Sequence, residues 1–439
     1  MVVNVANTGN AGNTVSTPQE MAVRYWEFSR QQARGRSDAH EELSARISHD
    51  DELCELLAAS LPAGHKQQPD LLLAAVRQLD GPHAEWGPRG AAAYGRWREW
   101  TIRHWDEVRS VIMRRSARTD EPARCATLLP LLARMPQPLA LLEVGTPAGL
   151  CLYPDRYRYQ YVQEDGRAMD GPGAADSPVT FTCRASGFAP DGEGGAAALP
   201  GALPEVVWRG GIDPAPLDPF GEADDLRWLR ALVWPGDEAR TARLSAAVEA
   251  ARTAPRPTVV RGDLLDELPA LAAQVPSGAT LVVFHSAALN HLPPARREEF
   301  ARLVRSLLAE RDGGGHWISQ EHHSVAAVDH GAGAPLPGGG GHAAADPRPG
   351  RAPGRADRPA RPQRALAPFR AVVARPPGRP AAGGRPAAPA YPSRGRWTAS
   401  SAMSSAGPPP VCRATSSTTT SNRSSGPLNR LPRNRAHGS

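Results

Sequence analysis

The sequence predicts an α/β protein with three parts: a helical N-terminal region, a doubly wound, mostly parallel sheet, and a disordered C-terminal tail. Apolar residues at spacings of three and four predict helices over 16–138. Over 139–321, short apolar runs alternate with helical segments, which is typical of parallel strands covered by helices on both faces. Neither pattern continues in the segment 322–439, which is expected to be a disordered tail, like residues 1–15.

The helical region is expected to begin after Thr17, because threonine favours the position that precedes the first turn of a helix. Trp97, Trp100 and Trp105 are expected to pack in the core of this region rather than to stack on bases. The segments with helical spacing are PQEMAVRYWEFSRQQA (18–33), PDLLLAAVRQL (69–79), AAAYGRWREWTIRHWDEVRSVIMRRSA (91–117) and EPARCATLLPLLARM (121–135).

Five apolar strands are predicted after residue 138, with helices between the later ones. Residues 155–185 show strand-like alternation, in which Tyr157, Tyr159 and Tyr161 are expected to pack on one face. The predicted strands are LALLEVG (139–145), EVVWRGGID (205–213), PTVVRGD (257–263), ATLVVFHS (279–286) and GHWISQE (315–321). The predicted helices are DDLRWLRALVW (224–234), DEARTARLSAAVEAAR (237–252), ELPALAAQV (267–275) and PPARREEFARLVRSLLAE (293–310).

The net charge of +6 is unevenly distributed along the chain. The tail from His323 to Ser439 contains 17 arginines and three acidic residues, so the part that precedes it is net acidic. An acidic folded part disfavours a nucleic-acid partner, because phosphate binding needs a basic surface. The tail is either a basic arm that binds acidic partners non-specifically or the product of a frameshift. The abrupt change in composition and the absence of a structured end favour the frameshift.

The sequence carries no signal for secretion or membrane insertion. Its N-terminus lacks the basic and apolar regions of a signal peptide, and no run of about 18 apolar residues is present. The five cysteines are scattered and none forms a CxxC pair, so neither a zinc cluster nor a redox motif is predicted. We expect a cytoplasmic protein that does not bind membranes.

A candidate site lies where the predicted strands end. Ligands of doubly wound sheets bind beyond the carboxyl ends of the strands, and the turn after the first strand is the usual cradle. In this chain Gly145 and Gly149 flank that turn, and the start of a following helix would offer free N–H groups. Acidic or titratable residues end or follow the strands at Glu143, Asp213, Asp263 and His285. Taken singly, each acid is more typical of a turn or a helix cap; taken together, they favour a site.

The stretch EVGTPAG (143–149) resembles the first motif of the class I S-adenosylmethionine-dependent methyltransferases, in which an acid precedes glycines at alternate positions. Pro147 replaces the middle glycine. GID (211–213) and GDLLD (262–266) resemble the second and third acidic motifs of that superfamily. The resemblance implies a methyltransferase-like Rossmann domain that transfers a methyl group to a small-molecule substrate. The implied S-adenosylmethionine-binding residues are Glu143, Gly145, Gly149, Asp213 and Asp263.

A more extensive resemblance, to an uncharacterised bacterial family catalogued as domain-of-unknown-function family 2332, covers residues 18–321. That family name supplies no reaction. The family continues after the fifth strand with strands that close the domain, and this sequence departs from it there. Strand 317–319 is therefore expected to be an open apolar edge that invites aggregation. The resemblance is carried by QPDLLLAAV, RTDEPARCATLLPLLA, LLEVGTPAGLCLYPDRYRYQY, GIDPAPLDP, DDLRWLRALVWP, VVRGDLLDELPAL, TLVVFHSAALNHLP and HWISQE.

His285 is the candidate catalytic base, because an imidazole has a pKa suited to removing a proton from an acceptor; a histidine that anchors the end of the strand is the alternative. No metal is expected, since the spacing of His316, Glu321, His322 and His323 is not that of a helical metal site. A solvated helix start is favoured over substrate contact for Arg118, Asp120, Glu121 and Arg124.

Two other functions remain open. A nicotinamide-dependent oxidoreductase would share the fold, but the absence of GxGxxG counts against it. A non-catalytic Rossmann domain that binds a nucleoside ligand or a protein is the third possibility. Pro147 and the missing closing strands favour this non-catalytic interpretation.

Overall fold

A computed structural model gives the architecture of the chain. The structure describes residues 16–82, 90–163, 165–186, 188–189, 197–221, 223–312, 314–322, 369–374, 396–400 and 411–415. No helix in these ranges is both long enough and apolar enough to span a bilayer.

Within the described ranges, seven α-helices precede the first strand, as the apolar spacing predicts. Thr17 caps the first of them: its side chain accepts from the backbone of Glu20, whose side chain accepts from the backbone of Thr17 in return. A π-helical segment, Phe28–Ala33, follows this helix directly. The seven helices are α1 (Pro18–Glu27), α2 (Asp38–Ile47), α3 (Asp51–Ser60), α4 (Pro69–Gln78), α5 (Gly90–Arg103), α6 (Trp105–Arg114) and α7 (Cys125–Leu132).

The helical region has its own apolar core. Trp97 is buried in this core, and Trp100 and Trp105 pack against it, which confirms their predicted structural role. The core also contains Trp228, which follows the second parallel strand in the chain, so the two regions share apolar surface. Trp234 reinforces the junction by donating a hydrogen bond of 3.0 Å from Nε1 to Oδ1 of Asp70.

The main sheet of the described chain contains eleven strands. Five adjacent strands at one end of it all run parallel to one another. The other six flank this parallel part on one side; a separate two-stranded sheet is formed by β5 and β6. The strands are β1 (Leu139–Val144), β2 (Arg158–Val162), β3 (Ala168–Gly173), β4 (Thr180–Ser186), β5 (Phe188–Ala189), β6 (Ala197–Ala198), β7 (Val206–Asp213), β8 (Thr258–Arg261), β9 (Thr280–Ser286), β10 (Gly315–His322), β11 (Phe369–Ala374), β12 (Arg396–Ser400) and β13 (Val411–Thr415).

The five parallel strands have the order β8-β7-β1-β9-β10. Counted along the chain this is 3-2-1-4-5, so the strand order reverses between β1 and β9. Apolar clusters lie on both faces of these strands, one with helices α7 and α9 (Glu238–Arg252) and the other with α10 (Leu264–Ala272) and α11 (Pro294–Glu310). The doubly wound α/β architecture is therefore confirmed. The remaining helix, α8, covers Ala223–Ala231.

The connection from β1 to β7 is unusual for such a sheet, because the part of it that the structure describes contains no α-helix. Two short 3-10 segments, Leu150–Leu152 and Pro154–Arg156, lead into β2, β3 and β4. The alternating tyrosines of β2 are all buried: Tyr159 and Tyr161 within the strand and Tyr157 just before it. They join the cluster that contains α7 and α9, as the single-face prediction requires.

Three segments of the tail are strands in the structure. β11 pairs antiparallel with β10 from Trp317 opposite Ala374 to His322 opposite Phe369. The prediction that strand 317–319 is an open edge is therefore wrong, because the backbone groups of β10 that face outward are paired. β12 and β13 extend the sheet further, and β13 pairs with β4. The rest of 323–439 lies outside the described residues, as does 1–15, so the predicted disorder there stays a prediction.

Candidate functional site

The turn after β1 has the backbone geometry that its glycines suggest. Gly145 and Gly149 have φ angles of 79° and 71°, in the left-handed region that side chains with a Cβ seldom adopt. Gly145 is also tightly enclosed, because a Cβ there would lie 2.7 Å from the Cβ of Ala288, in the loop after β9. This close approach brings the ends of β1 and β9 into contact at the point where the strand order reverses.

The N–H groups of this turn are largely occupied. Those of Gly145 and Thr146 donate to the carbonyl of Ile212, at 2.8 and 3.1 Å. Those of Ala148 and Leu150 donate to Oδ2 of Asp120, both at 3.1 Å. The expectation of a helix start with free N–H groups is therefore wrong: a 3-10 segment follows the turn, and an internal carboxylate takes the position of a ligand anion.

Glu143 lies in β1 with its side chain on the face of the sheet that packs against α7. It is buried, and its Oε2 atom has no hydrogen-bond partner among the described residues. Burial, together with repulsion from Asp120, raises the pKa of Glu143 to about 8. Glu143 therefore holds a proton at neutral pH. Burial raises the pKa of Asp120 as well, and the amide hydrogen bonds from Leu150 and Ala148 oppose that shift.

Asp213 ends β7 beside the turn and is fully buried. Its Oδ2 atom lies 2.8 Å from Nη1 of Arg118, and its Oδ1 atom accepts a hydrogen bond of 2.8 Å from the backbone of Ala215. Burial raises the pKa of Asp213 and the Arg118 guanidinium opposes this shift. Asp213 is thus a carboxylate held in place on both oxygens, at the edge of the strand next to β1.

Asp263 occupies a more peripheral position. Its Oδ1 atom caps α10 by accepting from the backbone of Leu265 at 2.9 Å, and the same atom lies 2.5 Å from Nη2 of Arg296. Its side chain is 43% exposed. The contact with Leu265 corresponds to the helix-cap interpretation of this acid, and the contact with Arg296 links it to α11.

His285 lies on the opposite face of the sheet from Glu143. Glu143 is paired with Phe284 of β9, and successive side chains of a strand alternate between faces. The His285 ring is buried against Phe300 and Trp317, with ring centroids 5.5 and 6.0 Å away. Its Nε2 atom has no partner among the described residues. The structure therefore brings Glu143, Gly145, Gly149 and Asp213 together but places the His285 ring apart from them.

His285 forms a buried pair with Glu321. The distance from Nδ1 of His285 to Oε1 of Glu321 is 2.7 Å, and the same oxygen accepts from the backbone amides of Ala288 and Leu289 at 2.9 and 3.1 Å. Burial opposes ionisation of Glu321, but the His285 contact and the two amide hydrogen bonds outweigh it, so the pKa of Glu321 lies below its usual range.

The segment that precedes α7 supplies residues to which the sequence interpretation gave little weight. Arg118 and Asp120 contact the candidate site directly. Burial raises the pKa of Asp120 and of Glu143, and the Arg124 guanidinium partly opposes both shifts. Glu121 instead pairs with Arg240 of α9, at 3.1 Å. The acids before Pro122 resemble an ordinary helix start, and only the folded chain reveals that Asp120 turns back to the loop.

A chain of polar side chains lines the same edge on the α7 face. Oγ of Ser286 donates to Oε1 of Gln320 at 3.0 Å, and Nε2 of Gln320 donates to Oγ1 of Thr127 at 3.1 Å. Their sequence signal is weak, because single polar residues in apolar strands are common. In the described part of the chain, no three His, Cys, Asp or Glu residues are grouped closely enough to hold a metal ion.

Comparison with known proteins identifies a family but no activity. No curated protein and no solved structure matches the chain significantly. A family model described as "Uncharacterized protein conserved in bacteria" matches residues 22–358, which is well over half of the sequence. The chain therefore belongs to this uncharacterised bacterial family, domain-of-unknown-function family 2332.

Proposed function

We propose that the chain binds S-adenosylmethionine at the carboxyl ends of β1 and β7 and transfers its methyl group to a small-molecule acceptor. One observation carries the proposal: the two left-handed glycines of the turn lie where the strand order reverses, beside the buried Asp213 of the next strand. This is the position at which doubly wound sheets bind nucleoside ligands.

The residues of the site fit part of this ligand. Asp213 is placed to accept hydrogen bonds from ribose hydroxyls with the lone pairs that Arg118 and Ala215 leave free. Gly145 allows a close approach of the backbone, and Glu143 contributes an acceptor that is buried beneath the turn. S-adenosylmethionine carries its own electrophilic methyl group, so the task of the protein is to bind and orient.

The occupied N–H groups favour this ligand over a dinucleotide. A pyrophosphate needs several free backbone donors at the turn, but those of Ala148 and Leu150 already serve Asp120, and Pro147 has none. The nicotinamide-dependent oxidoreductase is therefore the weaker candidate.

A base role for His285 stays a prediction. It requires Nε2 to reach the acceptor, whereas the ring is enclosed by Phe300 and Trp317. Ser286 lies on the other face of the sheet, the face that Glu143 shares. Replacing His285 and Ser286 separately, with methyl transfer and ligand binding measured for each, would separate a chemical role from a structural one.

The direct test is calorimetric titration of S-adenosylmethionine and, separately, NAD into the folded full-length protein. We expect saturable binding of S-adenosylmethionine alone, weakened about tenfold or more by Asp213→Asn. Asp237→Asn is the matched control: Asp237 is also a buried carboxylate, but it caps α9 away from the turn. Binding of NAD with no binding of S-adenosylmethionine would reject the proposal.

A non-catalytic ligand-binding domain is the second candidate, favoured by the enclosure of the His285 ring, the candidate base, against Phe300 and Trp317. One measurement, the transfer of a labelled methyl group, distinguishes the enzyme from the non-catalytic domain. Transfer of label from methyl-labelled S-adenosylmethionine into a pool of bacterial small molecules is expected only for the enzyme. Tight binding without any labelled product would support the second candidate.

A further inference from the structure

Three donors from one short segment of the chain converge on one oxygen atom of Glu321. They are Nδ1 of His285 at the end of β9 and the backbone amides of Ala288 and Leu289 in the loop after β9. Glu321 itself lies near the end of β10, the strand paired with β9. A single carboxylate thus joins the loop after β9 to the neighbouring strand.

The loop that Glu321 holds lies against the glycine turn, where the strand order reverses. A Cβ placed on Gly145 would lie 2.7 Å from the Cβ of Ala288, which belongs to this loop. The preceding residue, Ala287, has a φ angle of 53°, which is unfavourable for a residue with a Cβ. Its amide donates to the carbonyl of Gln320 at 2.9 Å, so β10 restrains this conformation as well. The loop therefore depends on β10 for its shape.

We infer that Glu321 is a positioning residue: its carboxylate fixes the 287–289 loop against the glycine turn and thereby sets the width of the ligand crevice. His285 acts with it, because its Nδ1–H donates a hydrogen bond to Glu321. Both residues therefore act on the site through the loop. The effect on the ligand rests on the proposed function. The effect on the loop does not.

Two variants of Glu321 separate positioning from general support of the core. Glu321→Gln keeps an acceptor oxygen at the same place, whereas Glu321→Ala leaves the two amides and His285 without their partner. Glu310→Gln, in an exposed position at the end of α11, is the control for a change of charge. Thermal unfolding of each variant shows whether it is folded before any further measurement.

Hydrogen exchange of the Ala288 and Leu289 amides is the first readout, because it reports on the loop without a ligand. We expect Glu321→Ala to accelerate their exchange about tenfold or more, and Glu321→Gln to retain most of the protection. In the same two variants the affinity for S-adenosylmethionine is expected to fall about tenfold and about threefold or less, respectively.

The outcomes are distinguishable. Unchanged exchange of the two amides in folded Glu321→Ala would overturn the inference, whatever the ligand does. If Glu321→Ala does not fold, a partial loss of protection confined to these two amides in Glu321→Gln supports the inference, and protection equal to that of the Glu310→Gln control overturns it. If the unmutated protein binds no S-adenosylmethionine, the proposed function fails while the exchange result still decides the role of Glu321. Faster exchange with unchanged affinity would also overturn the inferred role at the crevice.

Discussion

Asp120 accepts a hydrogen bond through Oδ2 from the backbone amide of Leu150, at 3.1 Å, and so ties the segment before α7 to the turn after β1. The same oxygen accepts from Ala148. We expect Asp120→Ala to lower the free energy of unfolding by about 2–4 kcal/mol, because two buried amides lose their shared acceptor. Asp120→Asn, which keeps one acceptor oxygen, should lose less. Chemical denaturation of both variants checks this, and an equal loss in the two would show that the hydrogen bonds to the turn are not the cause.

The raised pKa of Glu143 predicts that the stability of the fold decreases as the pH rises. Its pKa rises from 4.5 in the unfolded chain to about 8 in the folded one, mainly through burial. Between these values the folded state holds a proton that the unfolded state has released, so the free energy of unfolding falls as the pH rises from about 5 to about 8. Glu143→Gln should remove this contribution and show a flatter profile by denaturant titration over that range. An unchanged slope would mean that Glu143 is ionised in the fold.

Gly145 is expected to tolerate no side chain, for two separable reasons. Its left-handed backbone makes alanine unfavourable by about 1–2 kcal/mol. The clash with Ala288 adds about 1–3 kcal/mol of overpacking. Gly166 is the matched control, since it has a φ angle of 85° but, among the described residues, no atom within 4 Å of the position that a Cβ would take. Denaturation should show a larger loss for Gly145→Ala than for Gly166→Ala; equal losses would argue against tight contact between the ends of β1 and β9.

Lys66, the single lysine of the chain, holds the end of α6. Its Nζ donates to the carbonyls of Ile112, Met113 and Arg115, at 3.0, 2.9 and 2.7 Å. Carbonyls at the end of a helix lack partners within it, and the ammonium also complements the negative end of the helix dipole. We expect Lys66→Met to cost about 1–3 kcal/mol of stability, measured by chemical denaturation.

The control for Lys66 is Arg103→Met, which removes an exposed ion pair with Glu99 on α5. Exposed pairs of this kind contribute about 0–1 kcal/mol, so this variant should unfold at nearly the same denaturant concentration as the unmutated protein. A comparable loss in both variants would indicate a general effect of charge rather than capping of α6.

The strands and helices around the site were predictable because their apolar patterns are long and regular. LALLEVG predicts β1 to within one residue of its end at Val144. The faces of the sheet were not predictable, because they depend on register: only the pairing of Glu143 with Phe284 shows that His285 points away from Glu143. The role of Asp120 was not predictable for a related reason. Its partners are 28 and 30 residues away in the sequence, so no local spacing indicates the contact.

The pairing of β11 with β10 also makes the order of synthesis matter. β10 is complete at His322, but its partner begins at Phe369, and β13 must return to β4, where Val411 pairs with Arg184. While the later residues are still on the ribosome, the nascent chain presents the unpaired edge of β10 to its surroundings. Because such distant pairings close slowly, this interval is the stage of biosynthesis at which a chaperone that binds strand edges would have most effect on the yield of native protein.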